Sequence, residues 1–505
     1  MRTHARITAG LAVVLAASAG LERLQSQQSP NKDEVARLQF ENGRALMQRG
    51  NYEEGLKDFR TVAETYPESA LADNARLAMS RYYLELGHDP AAAVKEAEEI
   101  LKRYPASDSA PFALLVQGEV LLQRSRRKED LSTAVTTFER VPSIYPRDAE
   151  AVPRAHYLAA EALRLSQQPA RALMRYRLVL ASYPTHSIIP KAHIGAATAL
   201  VATGDTAAAL EEFQFARADG ASREDADTAL GRLSLLYRLY VRPAQASPFT
   251  TTAKDVLAPR AKDVTSMAIT PRGEGYFATK LAVLPFDASK GDAPPGTVKP
   301  RAIALDERGR LVAIDGGSVK RQTGSPQFLN LTTPNGQART LEETITAVTL
   351  KNGDWLVASD DERDEKGIQR FSPTIKHLGA FAPFRAARLA VDEFDEVAVL
   401  DRDAKTVKIL DDAGKQVAAL PPRGTGYDLR NPVDIAFDAL SHLYVLDRTA
   451  VYVFSVRRPT PTLLRSFAEP ETSPSSFRRA TAFALDPLGR LYIADDHVEK
   501  IRIYQ

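Results

Sequence analysis

The residues with the most reactive chemistry lie near the end of the chain. The triplet Asp495-Asp496-His497 puts two carboxylates beside an imidazole, and these groups are common ligands of divalent metals. A stable metal site needs further ligands from elsewhere in the fold, and no distant motif in the sequence supplies them. We therefore interpret the triplet as a turn between two strands.

Other reactive motifs are absent from the sequence. It contains no phosphate-binding loop, no G-x-S-x-G elbow and no H-E-x-x-H pair. Its 505 residues include no cysteine, which excludes disulfides, thiolate zinc sites, cysteine nucleophiles and a lipidated cysteine. The net charge is only +2, with acids and bases interleaved, so no nucleic-acid partner is expected. We expect no cofactor, no metal and no small-molecule ligand.

The elements that would position any site begin with a repeat. A Tyr-Pro dipeptide occurs four times in the first half of the chain, at Tyr66-Pro67, Tyr104-Pro105, Tyr145-Pro146 and Tyr183-Pro184. The spacings are 38, 41 and 38 residues, and each dipeptide ends an apolar stretch with helical periodicity. A fixed period of this length indicates stacked helical repeats.

One repeat shows how the sequence specifies a helix pair. Gly43 allows two helices to approach closely, and Gly50 ends the first helix, where a left-handed residue is needed. Gly55 and Phe59 then pack the second helix onto the first. Pro67 stops that helix, because proline cannot continue the backbone hydrogen bonds.

This stretch resembles the tetratricopeptide repeat (TPR) family over residues 33–240. The pattern returns as Gly87 with Ala93 and Ala97, and as Gly118 with Ala134 and Phe138. It continues as Ala160 with Ala172 and Tyr176, and as Gly204 with Ala209 and Phe213. We count five helix pairs and a capping helix near Arg223–Tyr240. The long repeats ending in Tyr-Pro are similar to those of bacterial envelope proteins.

The resemblance implies a concave groove lined by the first helix of each pair. The candidate partner-binding residues on that face are Arg44, Gln48, Asn74, Arg81, Glu85, Glu119, Gln123, Arg154, Glu161, Arg164 and Lys191. Their mixed charge departs from a carboxylate clamp, which would repeat Lys and Asn at these positions. Individually, such residues are also typical of solvated charges on amphipathic helices.

The second half of the chain changes to a period of two. A strand–turn–strand phrase returns six times, most clearly from Ala302 to Asp315, from Ile435 to Asp447 and from Phe483 to Asp495. The first strand of each phrase is small and apolar. An aspartate follows it in four phrases, where a carboxylate can accept backbone N–H bonds from the next turn: Asp306, Asp392, Asp438 and Asp486.

Residues 249–505 resemble an NHL-type six-bladed β-propeller. The last phrase ends at Gln505 after its third strand, whereas the strand-like segment Phe249–Leu257 precedes the first phrase. We predict that this segment completes the last blade, so that the ring has no open edge.

Some propellers of this kind are metal-dependent hydrolases or lyases, with ligands in the central channel. The corresponding positions here are Ser266, Ala302, Ala347, Arg388, Asp434 and Ala482. Four of the six are Ser or Ala, which makes a poor metal cage. Arg388 and Asp434 remain the channel candidates, and they could simply pair with each other. No catalytic residue is assigned.

The N-terminus has the features of a secretory signal. Arg2 and Arg6 precede an uncharged run of 13 residues, Ile7–Ala19, which is shorter than the roughly 20 residues that span a bilayer. Ala17-Ser18-Ala19 is typical of a cleavage site. The expected location is periplasmic or extracellular, with no transmembrane segment after signal removal.

The sequence thus predicts a multidomain protein, helical and then β. Its segments are a signal peptide (1–19), a flexible lead (20–32), a TPR α-solenoid (33–240), a linker (241–248) and a six-bladed β-propeller (249–505). The favoured function is a non-enzymatic scaffold of the bacterial cell envelope that binds separate envelope proteins or peptides on each half. The alternatives are a propeller-type metal-dependent hydrolase or lyase, and a protein that binds cell wall or polysaccharide.

Overall fold

A computed structural model describes residues 31–87, 89–218, 221–243, 247–249, 251–255, 261–287, 299–321, 325–360, 367–456, 460–468 and 476–505. The predicted signal peptide and most of the lead lie outside the described residues. No helix in the described ranges combines the length and the apolar character needed to cross a bilayer.

The first half of the described chain is helical. The helices are α1 (Lys32–Gln48), α2 (Tyr52–Thr65), α3 (Ala72–Glu85), α4 (Pro90–Arg103), α5 (Ala110–Arg124), α6 (Lys128–Ile144), α7 (Ala151–Leu165), α8 (Pro169–Ser182), α9 (Ile189–Thr203), α10 (Thr206–Phe215) and α11 (Arg223–Leu236). A π-helical turn, Tyr237–Val241, follows α11. These helices form the predicted TPR-like array.

The glycines act as the sequence predicts. Gly50 has a left-handed φ of +82°, which ends α1 and lets α2 fold back. A Cβ on Gly43 would lie 3.0 Å from Cε1 of Phe59, so the close approach of α1 and α2 requires a residue without a side chain. Phe59 is buried there together with Val62.

The Tyr-Pro motif also links consecutive repeats. The hydroxyl of Tyr104 donates to the carbonyl oxygen of Pro67 at 2.8 Å, and that of Tyr145 donates to the carbonyl oxygen of Pro105 at 2.9 Å. Each proline ends a helix and leaves its carbonyl outside the helical ladder. The tyrosine one repeat later satisfies that carbonyl, which fixes the spacing between repeats.

The chain divides into two compact units within the helical array. One unit is Met1–Val120 with Ser143–Ala151, and the other is Leu121–Pro142 with Val152–Gln505. The second unit therefore contains the later helices as well as the β-sheets. The composition change at the predicted linker does not coincide with this division.

The strands of the second unit are β1 (Thr251–Asp255), β2 (Ser266–Ile269), β3 (Gly275–Ala278), β4 (Val283–Pro285), β5 (Ala302–Leu305), β6 (Leu311–Asp315), β7 (Ser318–Arg321), β8 (Gln327–Phe328), β9 (Asn330–Thr332), β10 (Ala338–Thr340), β11 (Thr344–Thr349), β12 (Trp355–Ser359), β13 (Gly367–Phe371), β14 (His377–Ala382), β15 (Arg388–Val391), β16 (Val397–Asp401), β17 (Thr406–Leu410), β18 (Gln416–Leu420), β19 (Arg423–Gly424), β20 (Tyr427–Asp428), β21 (Pro432–Phe437), β22 (His442–Asp447), β23 (Val451–Ser455), β24 (Thr462–Phe467), β25 (Ala480–Leu485), β26 (Leu491–Asp495) and β27 (Lys500–Tyr504).

These strands form a six-bladed propeller. The blades are β2–β4, β5–β8, β11–β14, β15–β18, β21–β24 and β25–β27 with β1, and all pairings within them are antiparallel. The innermost strands, β2, β5, β11, β15, β21 and β25, each neighbour two others and close a ring. The hairpins β9–β10 and β19–β20 lie between blades.

The predicted closure is confirmed. The backbone of β1 pairs with β27, with Thr251 opposite Tyr504 and Asp255 opposite Arg502. The last blade therefore takes its outer strand from the start of the propeller sequence. The pairing leaves β27 without an open edge.

The predicted aspartate turns are also confirmed. Oδ1 of Asp486 accepts from the backbone N–H of Leu488 at 3.0 Å and of Arg490 at 2.8 Å. The same pair of bonds, to the second and fourth residues after the aspartate, occurs at Asp306, Asp392 and Asp438. Each carboxylate thus shapes the turn between the first and second strands of its blade.

Helix α11 packs against one of these turns within the second unit. A Cβ built on Gly231 would overlap the carbonyl oxygen of Pro487. The guanidinium of Arg238 donates to the carbonyl oxygens of Gly489 and, at 3.4 Å, of Leu488. The missing side chain at Gly231 therefore allows the helix to approach the propeller backbone.

We expect Gly231→Ala to lower the free energy of unfolding by about 1–3 kcal/mol, the usual cost of forcing atoms into a packed site. This loss should exceed the gain in helix propensity from replacing glycine. Urea unfolding, followed by a spectroscopic signal from the second unit, measures this change in the free energy of unfolding. Asp227→Ala, at an exposed position on the same helix, is the control and should change stability little. A Gly231→Ala protein as stable as wild type would contradict the close contact.

Candidate functional site

The groove candidates of the first unit differ in their availability. Arg44 and Gln48 are exposed on α1, and their side chains form no ion pair or hydrogen bond with other described residues. Arg81, by contrast, pairs with Glu119 and lies 3.8 Å from Glu85. Asn74 donates to the hydroxyl of Ser109 at 3.3 Å. The open part of this surface is therefore the α1 end.

In the second unit, Glu161 and Arg164 form an ion pair with each other, and Arg164 forms another with the propeller. The guanidinium of Arg164 lies 2.8 Å from Oε2 of Glu161 and 2.8 Å from Oε2 of Glu393, in the turn of the fourth blade. The hydroxyl of Tyr176 also donates to Glu161. Burial opposes ionisation of Glu161, but the charge and hydrogen bonds of Arg164 hold its pKa below the usual value. These two residues join α7 to the propeller.

The remaining groove candidates vary in exposure. Gln123 and Lys191 are exposed, whereas Arg154 is partly buried.

A second helix–propeller link was not predicted. Nδ1 of His442 lies 2.9 Å from Oδ2 of Asp438, and its Nε2 lies 2.8 Å from the hydroxyl of Tyr240. When Nδ1–H donates to the carboxylate, the other ring nitrogen, Nε2, is the acceptor for the tyrosine hydroxyl. His442 is almost fully buried and begins β22. Only its position four residues after the turn aspartate could have indicated this contact.

The turn of the fourth blade differs from its equivalents. The residue four positions after the aspartate is Arg310, His442 or Arg490 in three blades, and each contacts its aspartate. In the fourth blade that residue is Glu396, so Asp392 has no neutralising partner on its own turn. Burial and the charge of Glu396 raise the pKa of Asp392 to about 7.

The channel candidates pair with each other. Nε of Arg388 lies 3.4 Å from Oδ1 of Asp434. The Asp434 carboxylate also accepts from the backbone N–H of Ile435 at 3.0 Å and of Phe483 at 3.1 Å. Burial nevertheless raises the pKa of Asp434. Its carboxylate therefore joins the inner strands of the fifth and sixth blades.

The equivalent position in the first blade has the same structural role. The hydroxyl of Ser266 accepts from the backbone N–H of Ile303 at 2.8 Å and so joins the first two inner strands. The channel itself encloses about 310 Å³ and is lined by backbone and mostly small or aliphatic side chains. Among the described residues, no three His, Asp or Glu side chains are grouped to hold a metal ion.

The mouth of the channel is strongly basic. A cavity of 640 Å³ lies where the loops that begin the inner strands meet the loops that follow the second strands. Its charged lining consists of one carboxylate and seven cations: Asp496, Lys280, Lys299, Arg301, Arg388, Arg402, Arg448 and Arg479. The cations come from five of the six blades. This cluster was not predicted, because its members lie far apart along the chain.

Comparisons with known proteins give one family match and several similar solved structures. Residues 32–147 match the family model YfiO, described as an outer membrane lipoprotein. A thermophilic TPR protein of Thermus thermophilus is 20% identical with a TM-score of 0.29, covering 36% of this chain and 89% of that one. MamA from Desulfovibrio magneticus RS-1 is 23% identical with a TM-score of 0.29, covering 36% and 93%.

A third solved structure extends over more of the sequence. The extracellular domain of a hybrid two-component system from B. thetaiotaomicron is 12% identical with a TM-score of 0.36, covering 52% of this chain and 43% of that one. No curated protein matches the sequence. The family match lies on α1–α6, the TPR-like helices that carry Arg44 and Gln48.

The raised pKa of Asp392 predicts that the stability of the fold depends on pH. A carboxyl with a raised pKa binds its proton more tightly in the folded state, so its contribution to stability is lost as pH rises from about 4 to about 7. A shift of this size corresponds to a contribution on the order of 4 kcal/mol. We expect Asp392→Asn, which keeps an oxygen for the two turn N–H bonds, to remove this loss.

Urea unfolding at pH 5 and pH 8 measures the effect. The variant should match wild type near pH 5 and exceed it in stability at pH 8. Asp306→Asn is the matched control, because it breaks the ion pair with Arg310 and should destabilise at both pH values. The interpretation fails if the difference between Asp392→Asn and wild type is the same at both pH values.

Proposed function

We propose that this protein is an exported, non-enzymatic interaction scaffold of the bacterial cell envelope. One partner, an envelope protein or peptide, binds the helical surface around α1, and a separate partner binds a face of the propeller. The observation that carries the proposal is the match of residues 32–147 to a family described as outer membrane lipoproteins. TPR-like helices and propellers both support binding roles.

The sequence supports the location. A charged start, an apolar run and an A-x-A-like site are the parts of a secretory signal. A chain without cysteine is also compatible with an oxidising compartment.

The carboxylate of the channel already has partners within the protein, which supports binding rather than catalysis. Asp434 uses its carboxylate on two backbone N–H groups and on Arg388. A general base or metal ligand needs a free oxygen facing the substrate. On α1, by contrast, Arg44 and Gln48 are exposed and have no partner within the chain among the described residues. Such side chains can make new contacts without losing existing ones.

We expect the double variant Arg44→Glu/Gln48→Ala to reduce partner capture without affecting the fold. Losing one charged contact of about 1.4 kcal/mol lowers the affinity about tenfold. The bait is the whole mature chain, because Arg238, Tyr240 and Arg242 bind the propeller and a cut at the linker would break these contacts. Proteins captured from an envelope fraction are quantified by mass spectrometry.

The matched control is Lys57→Glu, at an exposed position on α2 of the same helix pair. The proposal predicts that the control recovers the same envelope proteins as wild type and that the double variant loses at least one of them. Equal recovery by both variants would argue against binding at α1. Failure of wild type to capture any envelope protein would argue against the scaffold itself.

A further inference from the structure

We propose that the mouth of the propeller channel is a binding site for a compact organic anion that carries two or more carboxylate or phosphate groups. This inference does not depend on the scaffold function, because it rests on the second unit alone. Guanidinium and ammonium groups recognise carboxylates and phosphates by the same charge-assisted hydrogen bonds.

Most of the cations at the mouth are uncompensated. Five of them have no carboxylate of a described residue within 4 Å: Lys280, Lys299, Arg301, Arg402 and Arg448. Arg479 lies 3.7 Å from Asp496, and Arg388 lies 3.4 Å from Asp434. Gathering like charges is unfavourable without a counter-ion, and natural surfaces usually intersperse both signs. The excess positive charge is therefore a feature that an anionic ligand would relieve.

The guanidinium groups of Arg388 and Arg402 are held in place by the backbone. Arg402 donates to the carbonyl oxygen of Val433 at 2.8 Å. Arg388 donates to the carbonyl oxygens of Ala387 at 2.8 Å and of Thr265 at 2.5 Å. These bonds join the fourth blade to the first and fifth blades. Such preorganisation reduces the entropy that ligand binding would otherwise cost.

The charges around Arg402 are only partly balanced. Burial of its guanidinium, together with the charge of Arg388, lowers the pKa of Arg402. A negative group between the two side chains would reverse this effect, since opposite charges stabilise the protonated form. The carboxylate of Asp434, 3.4 Å from Arg388, opposes this lowering without cancelling it, so a further acidic group would stabilise the charged form of Arg402.

The size and layout favour a compact ligand with several charges. A volume of 640 Å³ is within the usual range of small-molecule sites, about 300–1,000 Å³. Lys280, Arg301 and Arg448 are exposed on loops of three different blades around the opening. A ligand with at least two acidic groups can contact Arg402 and one of these rim cations at the same time.

The test is isothermal titration calorimetry on the whole mature protein at constant ionic strength. The probes are citrate, tripolyphosphate, inorganic phosphate and acetate, which separate carboxylate from phosphate ligands and multivalent from simple anions. We expect citrate or tripolyphosphate to bind with one-to-one stoichiometry, at least tenfold more tightly than phosphate or acetate. Arg301→Glu and Arg448→Glu should each weaken that binding about tenfold or more.

The control is Lys415→Glu, an exposed lysine in the turn between β17 and β18, at the opposite end of the strands. It should bind the probes as wild type does. Both rim residues are exposed, so a folding defect is not expected, and unchanged thermal melting verifies this. The proposal is overturned if no probe binds or if binding does not respond to the rim variants.

Discussion

Closure of the propeller ring is the constraint on which the rest of the second unit depends. Six inner strands neighbour each other in a cycle, and β1 completes the last blade by pairing with β27. Each inner strand is short, with four to six residues, so none could hold its position without two neighbours. Because the ring is closed, the loops at its two ends are brought to fixed places. The basic mouth and the helix contacts both follow from that.

The two ends of the strands have different chemistry because different loops meet there. At one end the aspartate turns present backbone carbonyls and carboxylates, and these bind helices through Arg164 and Arg238. At the other end the loops before the inner strands carry Arg301 and Arg479, and no helix covers them within the described part of the second unit. One end therefore stabilises the unit, and the other remains open to a ligand.

The sequence predicted what depends on local periodicity. The Tyr-Pro spacing predicted the helix pairs, and the recurring strand phrase with its aspartates predicted the blades, their turns and the closure of the ring. Each of these features is encoded by residues close together in the chain. The hydroxyl of Tyr104 bonding to Pro67 could not be predicted, because it depends on how neighbouring repeats stack.

Two parts of the candidate sites depended on tertiary contacts and were missed for that reason. Glu161 and Arg164 have the spacing of an ordinary solvated helix pair, and only the fold places Glu393 beside them. The cations of the mouth alternate with acids along the sequence, which gave an almost neutral chain. The ring separates them in space, because Lys280 and Arg448 lie in loops at the mouth whereas Asp306 and Asp486 lie in turns at the other end. A nearly neutral chain can therefore carry a strongly charged site, and overall charge says little about a protein whose loops converge from repeated blades.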